Sequence, residues 1–354
     1  MLTLKSRKPM HRLILLLLAV LSLSCTKQLA SSEQLVFDRI AYVYALKPTI
    51  ASDIWQGFDA KQYDVPLVYY TDSSSFIANP TSRFLRMYNP ALVFRTSDLK
   101  VYKTTARLDS TPFHMAVNFT IGDTSVYDDL SPFMHCSSLE ETGKVVTDVV
   151  TTETWVTMVV HEYFHGFQFR HKDFLQHFAD SLGTFQKGTL KGLYKDNAWF
   201  KEQVDKENGL LLEALETDSR DEIRTLLAAF RQERENRRNE TKRRFNTDIE
   251  AAEKMHETME GTARYVEQKL YEKFSQKQPD RKLQRADTAY QGYHSFKNHK
   301  LENDEWLYLT AQSGVYFYAT GFNMARILDK LQVPYKERLF KEKELSLEDI
   351  LNTI

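Results

Sequence analysis

The chain has 354 residues, 42% hydrophobic and 27% charged, a composition that excludes a disordered protein and suits one large domain or two modest ones. The formal net charge is −1, and the first 24 residues hold Lys5, Arg7, Lys8 and Arg12 but no acid. The remainder has 43 bases against 48 acids, which gives no reason to expect nucleic acid as a partner, and two cysteines cannot make a disulfide framework.

The N-terminus reads as an address. A basic stretch to Arg12 precedes 11 mostly apolar residues, Leu13 to Leu23, and then Ser24-Cys25. Such a run rises only about 16 Å as a helix, too short to span a bilayer. The order resembles that of bacterial lipoprotein signals, whose cysteine becomes the lipid-bearing first residue, although Leu stands at −4 and −2 rather than −3. The resemblance implies a signal peptide over 1–24 and an acylated Cys25 on a tether to about residue 33. It also implies export to the cell envelope, with attachment to a lipid membrane on the periplasmic face or cell surface.

Next, Leu35, Val36, Ile40, Val43 and Tyr44, between Glu33 and Lys47, fit a helix or a strand, and a helix is the preferred reading. Short runs punctuated by Pro66, Pro80 and Pro90 then read as strands, namely Val65 to Tyr70, Leu92 to Arg95 and His114 to Ile121. Residues 34–147 are therefore expected to be sheet-rich. From Asp148 helical spacing takes over. Ile223, Leu226, Leu227 and Phe230 form one stripe of a helix running into Arg231 to Arg244, whose seven bases and three acids predict a solvated face. Gln276 to Asp287 reads as a loop, and Val315 to Leu331 as the last helix. The whole predicts an α+β protein, with an N-terminal mixed sheet packed on an active-site helix and a mainly helical part over 148–354.

The chemistry is carried by His161-Glu162-Tyr163-Phe164-His165, an HExxH pattern. On a helix His161 and His165 lie about 40° apart, so both imidazoles can reach one metal ion. Val156, Val159, Val160, Tyr163 and Phe167 cluster on the opposite side as a core stripe, while Thr157 and Gln168 share the ligand side. Catalytic zinc takes a third protein ligand, and two residues offer one. His171 has the spacing of HExxHxxGxxH proteins, but Gln168 stands where their turn glycine belongs, and a continuing helix turns His171 to the apolar side. Glu260 lies beside the apolar stripe Met255, Met259, Ala263, Val266 and Leu270, grouped with Arg264 and Glu267. Gly261 and Ala263 permit close approach of another helix.

HEYxH followed by Glu260-Gly-Thr-Ala-Arg-Tyr265 resembles the gluzincin metallopeptidases, notably clostridial-type collagenases and zinc aminopeptidases. In these the Glu before the Gly is the third zinc ligand. Tyr318-Ala-Thr-Gly321 is similar to the aminopeptidases' Tyr-x-x-Gly, whose Tyr stabilises the transition state. The resemblance covers about 151–330. It implies a zincin-like fold in which His161, His165 and Glu260 bind Zn²⁺, Glu162 is the general base, and Tyr318, or otherwise Tyr290 or Tyr293, serves the oxyanion. Glu257 and Glu267 are candidates to orient an imidazole. The substrate would be a peptide or protein.

Two features depart from the pattern. Ninety-four residues separate His165 from Glu260, which implies a helical insertion over about 172–250, and the GxMEN segment of aminopeptidases is absent. The other reading of the chain is a non-catalytic lipoprotein that binds partners on a decayed zincin fold. His135-Cys136 has no supporting motif, so a cysteine nucleophile is not expected.

Overall fold

The computed structural model describes residues 31–106, 113–116, 133–184, 187–304, 309 and 314–354. The signal segment and Cys25 lie outside the described residues, as does the stretch from Val117 to Ile121 of one expected strand. Among the described residues no helix is long and apolar enough to cross a membrane.

The chain is α+β. A helix α1 (Ser31–Ala51) precedes strands β1 (Leu67–Tyr70) and β2 (Ser75–Ala78), helix α2 (Ser82–Tyr88), and strands β3 (Ala91–Arg95), β4 (Lys100–Thr104), β5 (Phe113–Ala116) and β6 (Phe133–Cys136). Helices then dominate: α3 (Leu139–Gly143), α4 (Thr152–Phe169), α5 (Lys172–Thr184), α6 (Lys187–Asp196), α7 (Ala198–Glu216) and α8 (Arg220–Phe245). They are followed by α9 (Glu250–Gln276), α10 (Arg281–Ala286), α11 (Phe317–Lys330) and α12 (Leu347–Leu351). The expected loop over 276–287 thus contains α10, started by Asp280, whose carboxylate accepts from the Lys282 and Leu283 amides. The expected last helix is followed by α12, held by a capping box between Ser346 and Asp349.

The described strands form one sheet in the order β3-β4-β2-β1-β6-β5, antiparallel except where β1 runs parallel to β6. Every residue of β1 is buried because both of its faces are covered. Val68 and Ile77 meet Phe84 of α2 on one face, while Leu67, Tyr69 and Phe76 join the main core on the other.

That core seats α4. Thr151 starts the helix with a capping box to Thr154. Trp155 stacks edge-on to Tyr69 and donates its indole N–H to the Ser137 carbonyl, 3.1 Å away. At the far end Gly166 lies so close to the sheet that a Cβ there would come within 2.7 Å of Val65 and 2.8 Å of Met115. Val156, Val159, Val160, Tyr163 and Phe167 are all buried in the main core.

The basic end of α8 differs from its expected solvated face. Arg243 and Lys242 are exposed, but Arg234 and Arg237 are buried, with side-chain exposures of 2% and 0%. Arg237 bonds Glu207 and Glu253, and Arg234 grips Glu257 through two bonds of 2.7 Å while also reaching Glu207 and Glu348. Charge spacing alone predicts a wet helix, whereas tertiary partners from α7, α9 and α12 make it dry.

A candidate metal centre between three helices

The site is built where α9 packs against both α4 and α11. The α9–α11 crossing is a backbone contact. A Cβ on Gly321 would lie 2.1 Å from the Glu257 carbonyl oxygen, and one on Gly261 would lie 2.4 Å from the Gly321 carbonyl carbon. Only glycine at both positions permits this approach. Glu260 precedes one of these glycines and Tyr318 stands one turn before the other, so the crossing sets their two side chains side by side.

His161, His165 and Glu260 each present one ligand atom, and these atoms all lie within 4.8 Å of one another. Glu260 Oε2 is 3.3 Å from His165 Nε2 and 3.8 Å from His161 Nε2. All three side chains are buried. Yet Glu260 Oε2 has no hydrogen-bond partner. A buried carboxylate oxygen without a donor is costly, and a cation beside two imidazole nitrogens would satisfy it. Two imidazoles and one carboxylate are also a donor set that suits zinc.

Each imidazole is held from behind. Gln168 donates to the Met259 carbonyl (2.9 Å) and the Thr262 hydroxyl (2.8 Å), so its oxygen faces His165 Nδ1 at 2.8 Å and accepts that proton. His165 Nε2 faces Glu260 Oε2 at 3.3 Å. His161 Nδ1 lies 3.0 Å from Glu267 Oε2, and Arg264 holds the same oxygen at 2.8 Å. Gln168 therefore serves as a support, although its spacing suggests only that it faces the cleft. Of the two candidate orienting carboxylates, Glu267 touches His161, whereas Glu257 is bound by Arg234 and the Thr320 hydroxyl.

Charge follows these contacts. Burial opposes ionisation of Glu260, but Lys187, His161 and His165 outweigh it and hold the carboxyl well below its usual range. Burial likewise opposes charge on His161, but the neighbouring Glu260 and Glu267 carboxylates raise it to about 9. A metal must displace that proton.

Tyr318 lies alongside, its ring stacked on His161 at 6.2 Å, and burial together with the nearby Glu260 and Glu162 carboxylates pushes its hydroxyl well above 10. Glu162 is half-buried on the same helix as the two histidines. Tyr290 and Tyr293 lie elsewhere: Tyr293 contacts Tyr42, and the Tyr290 hydroxyl accepts the Asp280 amide. His171 is also apart from the cluster. It stacks on Tyr63 at 4.4 Å, bonds the Phe167 carbonyl and lines a separate cavity of about 290 Å³. Thr157 faces Tyr271. On β6, His135 and Cys136 point to opposite faces, and burial raises the Cys136 thiol.

One member of the cluster is invisible to motif reading. Lys187, the first residue of α6, places its ammonium 2.5 Å from Glu260 Oε1 and 3.2 Å from the Tyr318 hydroxyl. It comes from the long segment between the two motifs, and a lysine there has no sequence mark of its own.

Comparison with protein-family models, with curated proteins and with solved structures gives no match for this chain.

Proposed function

We propose that the chain is a zinc-dependent peptide hydrolase of the gluzincin type with a zincin-like catalytic fold, exported and tied to a membrane by a lipid on Cys25. The observation that carries this reading is the buried Glu260 Oε2, which has no hydrogen-bond donor and faces His161 Nε2 and His165 Nε2.

In this reading the three residues hold Zn²⁺, which as a Lewis acid supplies polarisation of a carbonyl and acidification of a water to a pKa of about 7. Glu162, next to His161 and half-buried, is the base that takes the water's proton and passes it to the leaving amine. Tyr318 donates its phenolic hydrogen to the developing oxyanion; one such donor contributes about 3 kcal/mol. Gln168 and Glu267 keep the two imidazoles in register. The substrate is a peptide or protein segment.

The test is zinc per chain by elemental mass spectrometry, with hydrolysis of fluorescein-labelled casein, for the purified full-length chain and three variants. One zinc per chain is expected, lost in Glu260→Ala and kept in His171→Ala. Glu162→Gln should keep the zinc while casein turnover falls by about 10²- to 10⁴-fold. A parent chain that takes up no zinc would overturn the reading. Zinc without turnover would instead mark a binding protein built on the same cluster.

A further inference from the structure

We propose that Lys187, brought in by the segment between the two motifs, is a positioning residue of this centre: its ammonium holds Glu260 by Oε1 alone and fixes the direction of the Tyr318 hydroxyl. The proposal rests on the metal site described above.

An ammonium has three hydrogens and no acceptor. In its 3.2 Å contact with Tyr318 the phenolic oxygen therefore accepts, and the phenol's own hydrogen points elsewhere. In its 2.5 Å contact with Glu260 the ammonium engages Oε1, while Oε2 remains on the side of the imidazoles without a donor. One residue thus divides the carboxylate, one oxygen for the protein and one for the metal, and also orients the oxyanion donor.

The lysine is held to this task from below. Its ammonium lies 5.5 Å above the Phe317 ring and 5.1 Å above the Tyr318 ring. Arg264 approaches the Tyr318 ring at 5.1 Å as well, so the phenol sits between two cations. The Lys187 side chain is 34% exposed, and methionine at this position keeps an apolar stem over the Phe317 ring while removing the charge.

A point charge suits this role and a planar fork does not. Arginine at 187 can grip a carboxylate through both oxygens, which would draw Oε2 away from the imidazoles. The usual conservative replacement should therefore be the more damaging one for metal binding.

The experiment compares the full-length parent, Lys187→Met and Lys187→Arg after loading with Co²⁺, and measures zinc affinity by competition with a chromophoric chelator. Lys187→Met should still take one metal. With Oε1 released, Glu260 should coordinate through both oxygens, seen as weaker visible cobalt absorption as the coordination number rises. Its casein turnover should fall about 10²-fold with little change in KM, as expected when an oxyanion donor loses its aim. Lys187→Arg should bind zinc at least tenfold more weakly than Lys187→Met. The proposal is overturned if Lys187→Met matches the parent in cobalt spectrum and turnover, or if Lys187→Arg behaves like the parent, as a merely structural cation would. A parent that binds no metal overturns both this proposal and the functional reading, whereas a metal-loaded parent with unaffected variants overturns only this one.

Discussion

Helix α9 holds buried carboxylates of two kinds, and the contrast between them separates what builds the protein from what it is proposed to do. In its first turns Glu253 and Glu257 are saturated: guanidinium groups from Arg234, Arg237 and Arg238 and hydroxyls from Tyr316 and Thr320 occupy their oxygens. Burial favours the neutral acid, yet Arg237, Arg238 and Arg234 hold the Glu253 carboxyl below its usual range. One turn beyond Glu257, Glu260 is equally buried but has one oxygen on Lys187 and the other on no donor at all. A chain that can satisfy Glu253 fully could satisfy Glu260 in the same way. Leaving an oxygen bare between two imidazoles is the arrangement a cation requires.

If the arginine network is structural, breaking it should damage folding and leave the metal site alone. Arg237→Met strands Glu207 and Glu253 without their shared partner, and truncating one side of a buried ion pair costs about 3–5 kcal/mol. Denaturant unfolding should show a loss of that size with zinc per chain unchanged. A variant as stable as the parent would mean the two ends of α9 do not divide as described.

The opposite change touches the metal end only. Gln168→Leu removes the acceptor that faces His165 Nδ1, and loss of such an outer partner lowers metal affinity by about 10- to 100-fold. Chelator competition would measure it. Equal affinity in parent and variant would show that His165 is oriented by something else. Gly321→Ala couples the two ends through the helix crossing, since its Cβ would overlap the Glu257 carbonyl. A cost of about 1–3 kcal/mol in stability is expected from overpacking, with Tyr318 carried away from Glu260. Full stability with unchanged casein turnover would show that the crossing tolerates more space than its geometry allows.

How much of this is legible in the sequence depends on the range of the interactions. His161, His165 and the core stripe opposite them follow from a single helical period, so spacing suffices to place them on two sides of α4. The pairing of Gly261 with Gly321 is half visible: small residues beside Glu260 signal close approach but cannot name the partner helix. Among the described strands, β1, β3 and β5 are marked by proline punctuation and β-branched or aromatic runs, whereas β2, β4 and β6 carry no such mark, and the α1 spacing fits a helix or a strand equally. Arg234 and Arg237 mislead because a basic helix looks the same in sequence whether water or four glutamates surround it. Lys187 cannot be read at all, since its role depends on where 72 intervening residues return the chain to Glu260.

The smallest effect comes from proton uptake in the arginine network, and it separates that network from the metal end without a metal in the experiment. Burial opposes charge on Glu348, but Arg234 and Arg238 outweigh it and lower its carboxyl to about 2. Its unfolded value is near the ordinary 4.5. A carboxyl depressed by folding stabilises the native chain above its unfolded pKa, and that contribution is lost as pH falls towards the folded value. Between pH 6 and pH 3.5 the parent should therefore lose about 1 kcal/mol through this one group. Glu348→Gln cannot take up that proton, so its unfolding free energy should fall less steeply over the same range, even though it starts lower. Parallel curves for parent and variant would mean that Glu348 is not held ionised by Arg234 and Arg238. The saturated end of α9 would then be less tightly paired than the contrast with Glu260 requires.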